Sequence, residues 1–450
     1  MLQSLFQSRL AYLLCLGALV LPSAKATTIG QIQPAQAITA QRIAALPAAQ
    51  AAIWAQYLAR SQAAMAQDKT VLSQERASLT DTPPLPDGGA SEKSMPLDRD
   101  TYWYASAPAL AVAANILSFQ TPAGGWGKNQ PRNTPPRRLG QAYVSNNRSK
   151  FLAPGDFDTP ENEGWSYVGT IDNDATITEI RFLAKVIQAL APEQSAPYRD
   201  SALQGLRYLL AAQFPHGGWP QVWPLQGGYH DAYTVNDNAV VAVTELLFDA
   251  AAGTQGFAFV PEALRQQAQA ASRRAIDGLL ASQLRIQGQP ALWAQQYDAL
   301  TLEPSSARNY EPAALCSAES ATILVFLMRL PQPDARVVQA VHGGVALLRR
   351  LAIEGKAWRK VSKLDGRLLV SAPGAPTLWA RYYDIERLQP VFGDRDKSLH
   401  DNVADISLER RNGYAWYSTI PNKALQAYDA WAARHPAQPT ADKALGEPAH

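Results

Sequence analysis

The chain has 450 residues, 47% hydrophobic and 18% charged, with 41 Lys+Arg against 39 Asp+Glu. That size and apolar content support one large domain or two ordinary ones with a buried core. A net charge of +2 excludes a strongly polycationic surface, and with it the basic patch that non-specific nucleic-acid binding requires.

Residues 1–26 read as a signal peptide. Arg9 precedes an apolar run from Leu10 to Leu21, and Ala24, Lys25 and Ala26 form an A-x-A cleavage pattern. No later stretch is long and apolar enough to span a bilayer. A secreted, bacterial, extracellular or periplasmic protein is expected, and a monomer. The mature chain keeps one cysteine, Cys316, which allows neither an internal disulfide nor a cysteine-rich metal site. It follows Leu315 and reads as a buried small residue.

Residues 27–79 predict a small helical segment, with apolar residues at helical spacing over Ile43–Ala66. The stretch Thr80–Ser94 is rich in turn residues and predicts a linker over 80–100. The main domain, 101–450, then shows helical periodicity over Tyr104–Phe119, Ala175–Leu190, Ala202–Gln213, Asn238–Ala250, Pro261–Gln283, Glu311–Leu330, Ala335–Leu351 and Asn422–Ala433. Strand patterns are scarce. The clearest is Ala357–Val370, around the turn at Asp365 and Gly366.

Internal repetition carries the architecture. Gln120, Gly124 and Trp126 recur at the same spacing as Gln213, Gly217 and Trp219, each set closing an apolar helix. A third helix ends at Gln283 and reaches Trp293. A second repeat opens helices: TIDNDA (170–175) against TVNDNA (234–239). One helical hairpin cannot bury both its faces, whereas several packed in a ring can. The predicted fold is therefore an all-α-dominated α/α toroid with long irregular loops and minor β structure. Its polar helix openings collect at one mouth.

That mouth holds the candidate chemistry. Asp172, Asn173, Asp174, Asn236, Asp237 and Asn238 place six oxygen-bearing side chains at two equivalent helix starts. N-capping accounts for one such residue per helix, not three. Positions 174 and 238 are candidates for left-handed backbone, which Asp and Asn tolerate. The remaining oxygens suit a hard cation such as calcium better than zinc, and an acidic cluster for a diphosphate is the competing use. Lys128, Arg308, Arg381, Arg395, Arg410 and Arg411 lie in loops beside Tyr310, Trp379 and other aromatics. Arginine there binds carboxylates in a fork geometry or makes ordinary surface salt bridges, while aromatic faces pack on sugars. No phosphate loop, serine nucleophile elbow or H-E-x-x-H is present. Among the six histidines, His230 is best placed for a supporting or substrate-contact role.

Five segments in this order, QTPAGGWGKN (120–129), TIDNDATITEIRFLA (170–184), YTVNDNAVV (233–241), ARNYEP (307–312) and LWARYYDIE (378–386), resemble the pectate lyases of polysaccharide lyase family 10. The resemblance runs from about Tyr102 to Pro421. It implies an α/α toroid that cleaves polygalacturonate by calcium-assisted β-elimination. It further implies Asp172 and Asp237, with Asn173 beside the first, at the calcium and substrate centre, and Arg308 as the proton acceptor. Arg381 and Arg395 match arginines that hold substrate carboxylates, and Lys128 matches a position near the cleft. Many relatives have glycine where this chain has Asp174 and Asn238, so Asp174 is either an added calcium ligand or a structural substitute. A toroidal terpenoid cyclase and a non-catalytic pectin-binding protein are the competing classes. Export argues against the first, and the retained Arg308 against the second.

Overall fold

The structure is a computed structural model that describes residues 27–89, 95–147, 149–162 and 164–437. The expected signal peptide lies outside them. Eleven α-helices are described: α1 (Ala40–Ala44), α2 (Ala48–Ala77), α3 (Ala107–Ser118), α4 (Ile177–Ala189), α5 (Ala196–Ala212), α6 (Ala239–Ala252), α7 (Glu262–Ser282), α8 (Ser317–Arg329), α9 (Ala335–Arg350), α10 (Leu408–Gly413) and α11 (Pro421–Ala432). Small antiparallel sheets of two or three short strands join the loops between them.

The helices sort by burial. In α4, Ile177, Ile180, Phe182, Leu183, Ala184, Val186 and Ile187 are all buried, so apolar residues cover most of its circumference. Such a helix has to be enclosed by neighbours. In α9 only one stripe is buried, through Val337, Val341, Val345 and Leu348, and Asp334 caps its first turn by accepting from the Val337 N–H. Packed neighbours α4 with α5, α6 with α7, and α8 with α9 and α11 close an α/α toroid.

The repeated Gln and Trp residues make the joints of this ring. The Gln120 amide donates to the carbonyls of Gly124 (2.9 Å) and Ser201 (3.0 Å). Gln213 does the same to Gly217 and Ala271, and Gln283 to Ala291 and Ala340. Each glutamine thus ties the end of its own helix to the next helix in the ring. The indole N–H groups of Trp126, Trp219, Trp293 and Trp379 each reach back 2.7 Å to a carbonyl near the preceding helix end, at Ile116, Leu209, Leu279 and Leu348. These bonds satisfy carbonyls that a helix terminus leaves without partners. Gly217 turns with φ of 102°, and a Cβ there would collide with the Arg274 carbonyl. Only glycine fits that approach.

The fourth joint corrects an expectation. Trp379 was expected to face substrate; it is fully buried and holds the end of α9 instead. The hairpin Lys356–Ser362 with Gly366–Ser371, close to the predicted strand segment, separates this tryptophan from its helix. A second difference concerns α8, which begins at Ser317 rather than Glu311. Leu315 and Cys316 are extended between Trp293–Ala294 and Tyr382–Tyr383, so strand pairing claims them first. Cys316 is buried, as expected.

The N-terminal segment packs on the toroid. Trp54 lies 5.3 Å from the Phe214 ring, and the Tyr57 hydroxyl donates to the Ala212 carbonyl at 2.9 Å. Gly30–Gln31 pairs antiparallel with Ser398–Leu399. Asp68 is fully buried on α2; one of its oxygens accepts from the Ala123 N–H at 2.7 Å and the other has no partner. Burial pushes this carboxyl up to about 7, against the weaker pull of that hydrogen bond. Its folded value exceeds the unfolded one of about 4. The stability it confers is therefore complete below about pH 4 and lost as pH rises through about 7. Asp68→Asn keeps an acceptor for Ala123 and cannot ionise. The stabilisation it brings is expected to be roughly 1–3 kcal/mol larger at pH 9 than at pH 5, where part of the cost is already present. Thermal melts at both pH values check this, and equal shifts at both would contradict it.

Candidate active site

The two polar helix openings form tight turns, Asp172–Asp174 and Asn236–Asn238, that lie in contact ahead of α4 and α6. Positive φ values occur at Asn173 (51°), Asp174 (58°), Asp237 (52°) and Asn238 (59°). Left-handed backbone was expected at 174 and 238, and the residue before each adopts it as well. Short polar side chains tolerate this conformation best after glycine.

The turns bring the carboxyl groups of Asp172 and Asp237 within hydrogen-bond reach of each other. Burial pushes Asp172 up, but the Lys128 ammonium paired to it, the hydrogen bond from Asp237 and the nearby Arg308 together hold it below the usual carboxylate range. For Asp237, burial and the Asp172 charge push the carboxyl up to about 7. One negative charge is thus settled here and the second is resisted, an arrangement that a divalent cation between the two carboxylates would relieve. The donor chemistry fits such an ion. Asn236 donates to Asp237 at 3.0 Å, and Asn173 donates to Asn129 at 3.0 Å. Among the described residues, no cluster of three or more His, Cys, Asp or Glu side chains forms a ready metal cage. A hard cation would therefore need further oxygens from water, amides or a ligand.

Cationic side chains line the same mouth. Lys128 and Arg381 occupy equivalent repeat positions, each two residues after a joint tryptophan, where the other two repeats carry Gln221 and Gln295. Arg381 donates to Glu319 (2.7 Å) and Asn236 (3.3 Å) and lies 5.0 Å from the Tyr414 ring centre. Arg308 is about a quarter exposed (27%), with one nitrogen 3.6 Å from Glu311. Glu311 accepts from the Arg308 backbone N–H (3.1 Å) and from the Tyr414 hydroxyl (2.7 Å). Its charge is the main reason the Arg308 guanidinium is held more firmly protonated than a free arginine, although burial opposes this.

Tyr310 is buried and serves the arginines. Its hydroxyl accepts from Arg308 at 3.3 Å, and the Arg410 and Arg395 guanidinium groups lie 4.4 and 5.4 Å from its ring centre. Glu409 pairs with both Arg395 and Arg410. Arg411 turns to the Ala404 carbonyl instead. His230 stacks on Tyr229 at 4.1 Å and meets the edge of Tyr167 at 4.7 Å. Burial, with Lys128 and Arg308 nearby, pushes its pKa down to about 3, so the ring is neutral near pH 7. The predicted Lys128, Asp172, Asp237, Arg308, Tyr310, Arg381 and His230 share one electrostatic neighbourhood, and Arg395 joins it through Tyr310. Sequence reasoning missed Glu311, Glu319, Glu409 and the pair Tyr167–Tyr229. Of these only Glu311, three residues after Arg308, carried a local signal.

An aspartate pair facing several guanidinium groups suits an anionic ligand. The pectic acid lyase family profile matches residues 120–425. The family 10 polysaccharide lyase from Cellvibrio cellulosa is 29% identical, with a TM-score of 0.60, over 77% of this chain and 98% of its own. A mutant of that lyase in complex with trigalacturonic acid is 30% identical, with a TM-score of 0.60, over 76% and 98%. No curated protein matches significantly. A profile match over most of the sequence and a shared fold place the chain in the pectic acid lyase family, the pectate lyases of polysaccharide lyase family 10.

Proposed function

We propose that the protein is a secreted lyase that cleaves α-1,4-polygalacturonate by calcium-assisted β-elimination, with Arg308 accepting the C5 proton. The observation that carries this reading is the convergence of the Asp172–Asp237 pair, Lys128 and Arg308 at one mouth of the toroid. Trigalacturonic acid bound to the Cellvibrio relative supports the substrate class. Arg9, the apolar run after it and the A-x-A pattern support secretion. Among the described residues, no helix is long and apolar enough to cross a membrane.

The chemistry follows from the substrate. Each uronate carries a carboxylate next to C5, which makes the C5 proton weakly acidic. Lys128 and Arg381 supply fixed positive charge for that carboxylate as negative charge grows on it. Asp172 and Asp237 would hold calcium, which when bound adds positive charge beside the uronate carboxylate. Arg308 takes the C5 proton. The released electron pair forms the C4–C5 double bond, the C4–O bond breaks, and the departing oxygen gains a proton from water.

A protonated guanidinium cannot act as a base, and Glu311 favours that form. Lys128 and Arg410 oppose it, so the neutral fraction is small and grows with pH. Turnover should accordingly rise through the alkaline range. The test is incubation of the mature protein with polygalacturonate and calcium at alkaline pH. Ultraviolet absorbance of a 4,5-unsaturated product should grow, stop on chelation and resume when calcium is restored. Shortening of the polymer without that absorbance would mean hydrolysis and would overturn the reading.

A further inference from the structure

The hairpin of Lys356–Ser362 and Gly366–Ser371 is an insertion that the ring itself does not need. The joints at Trp126 and Trp219 close with no strand pair between glutamine and tryptophan, and the joint at Trp293 with a pair of two residues a side. At the fourth joint Ile353 and Leu378 exchange both backbone hydrogen bonds, at 2.9 and 3.1 Å. The hairpin lies between these two residues in the chain.

Its charge is out of proportion to that of the whole sequence. Residues 356–371 carry Lys356, Arg359, Lys360, Lys363 and Arg367 against a single acid, Asp365, in a chain of 41 Lys+Arg and 39 Asp+Glu. All five cationic residues are exposed. Among the described residues, none of their side chains makes an ion pair or a hydrogen bond. Asp365 accepts from the Ser362 hydroxyl instead, at 2.7 Å. The register also sets Lys360 directly opposite Arg367. Like charges facing each other across an antiparallel pair repel, and an anionic ligand would relieve that repulsion.

The hairpin is tied to the mouth through α10. The Arg367 backbone N–H donates to the Asn412 side chain at 2.9 Å, and Gly366 packs so closely on Leu408 and Asn412 that a Cβ would collide. The same short helix carries Glu409, which holds Arg395, and Arg410, which lies over the Tyr310 ring. The Tyr310 hydroxyl in turn meets Arg308. On the first strand, Trp358 lies 5.1 Å from the Tyr417 ring and anchors the hairpin to the body.

We infer that this hairpin is a second, non-catalytic binding surface for the polyuronate, holding stretches of polymer that lie beyond the mouth. Every uronate carries a carboxylate, so a chain seated at the mouth presents a row of anions to whatever flanks it. Unpaired lysines and arginines attract such a row with little demand on its exact geometry. The consequence is a preference for long substrates over short ones. An anionic membrane is the other partner that a basic hairpin suits. Val361 and Leu364 are exposed here, at 53% and 87%, but two single side chains do not make an apolar face, and the tie to the mouth favours the polymer. This rests on the lyase reading above.

The test uses the whole mature protein. One variant combines Arg359→Gln, Lys360→Gln and Arg367→Gln. At low salt its KM for long polygalacturonate should rise roughly tenfold at unchanged kcat, while both parameters for trigalacturonate stay within about twofold of wild type. The difference should fade as salt approaches about 1 M, where charges act only within about 3 Å. Arg367→Glu sets a carboxylate opposite Lys360. It should melt at or above the wild-type temperature and still bind the polymer less tightly, which separates loss of charge from loss of fold. Equilibrium binding of polygalacturonate without calcium should follow the same order with no turnover. Equal KM increases for trimer and polymer would place the effect at the mouth and overturn the second surface. Polymer KM values within about twofold of wild type in both variants would overturn it too. So would binding to phosphatidylglycerol vesicles that the substitutions abolish while polyuronate binding stays unchanged. A wild type that cleaves no substrate yet binds polygalacturonate through the hairpin would instead strike the lyase reading alone.

Discussion

Arg308→Ala is expected to lower kcat on polygalacturonate by roughly 10²- to 10⁴-fold, the range for loss of a positioned general base. Its Kd for trigalacturonate should stay within about fivefold of wild type, because one partly exposed guanidinium among several cations adds little to ground-state binding. Rate loss with binding retained is what separates a proton acceptor from an anchor. A variant that kept near-normal turnover would remove Arg308 from the chemistry. Glu311 supplies an independent readout. It is the largest influence holding Arg308 protonated. Glu311→Gln keeps one acceptor oxygen for the Arg308 N–H and turns an amide N–H toward the Tyr414 hydroxyl oxygen, while deleting the charge. The neutral arginine then becomes accessible at lower pH, and the rising alkaline limb of the rate profile should move down. A limb that stays put or moves up would show that the proton leaves to another group.

The ring was legible in the sequence because its joints are made by side chains that little else replaces. An amide that bonds two carbonyls at once, and an indole that reaches back along its own helix, demand Gln and Trp at fixed spacing, with glycine where backbones touch. The fourth joint obeys the same physics but was not legible. The hairpin Lys356–Ser371 breaks the spacing, and Trp379 then looks like a loop aromatic beside an arginine. The Asp and Asn turns were legible as a pair because their left-handed backbone restricts residue choice. Glu319 and Glu409 were not, since a carboxylate's partner depends on which helices the ring places opposite each other. The packing of α2 was hidden for another reason. Its buried face, Trp54, Tyr57, Ser61, Asp68 and Leu72, includes Ser61 and Asp68 among its contacts, so hydrophobic periodicity fades where hydrogen bonds do the docking.

Asp172→Asn and Asp237→Asn should each raise the calcium concentration for half-maximal rate by roughly tenfold or more, since removing even a supporting partner of a metal ligand costs that much. The two variants should part company in stability. Asp172 is the ion-pair partner of Lys128, and both side chains are largely enclosed. Neutralising it strands an ammonium and should cost on the order of 3 kcal/mol in calcium-free melts. Asp237 faces a like charge on Asp172, so its amide variant relieves repulsion and should melt at or above the wild-type temperature. Calcium itself gives the deciding measurement without any turnover. An ion that binds only the folded state raises stability by mass action, so wild-type melting should climb with calcium and both variants should respond weakly. If calcium raised all three melting curves equally, the ion would be bound elsewhere. The aspartate pair would then be a structural hinge between two helix starts and not a metal centre.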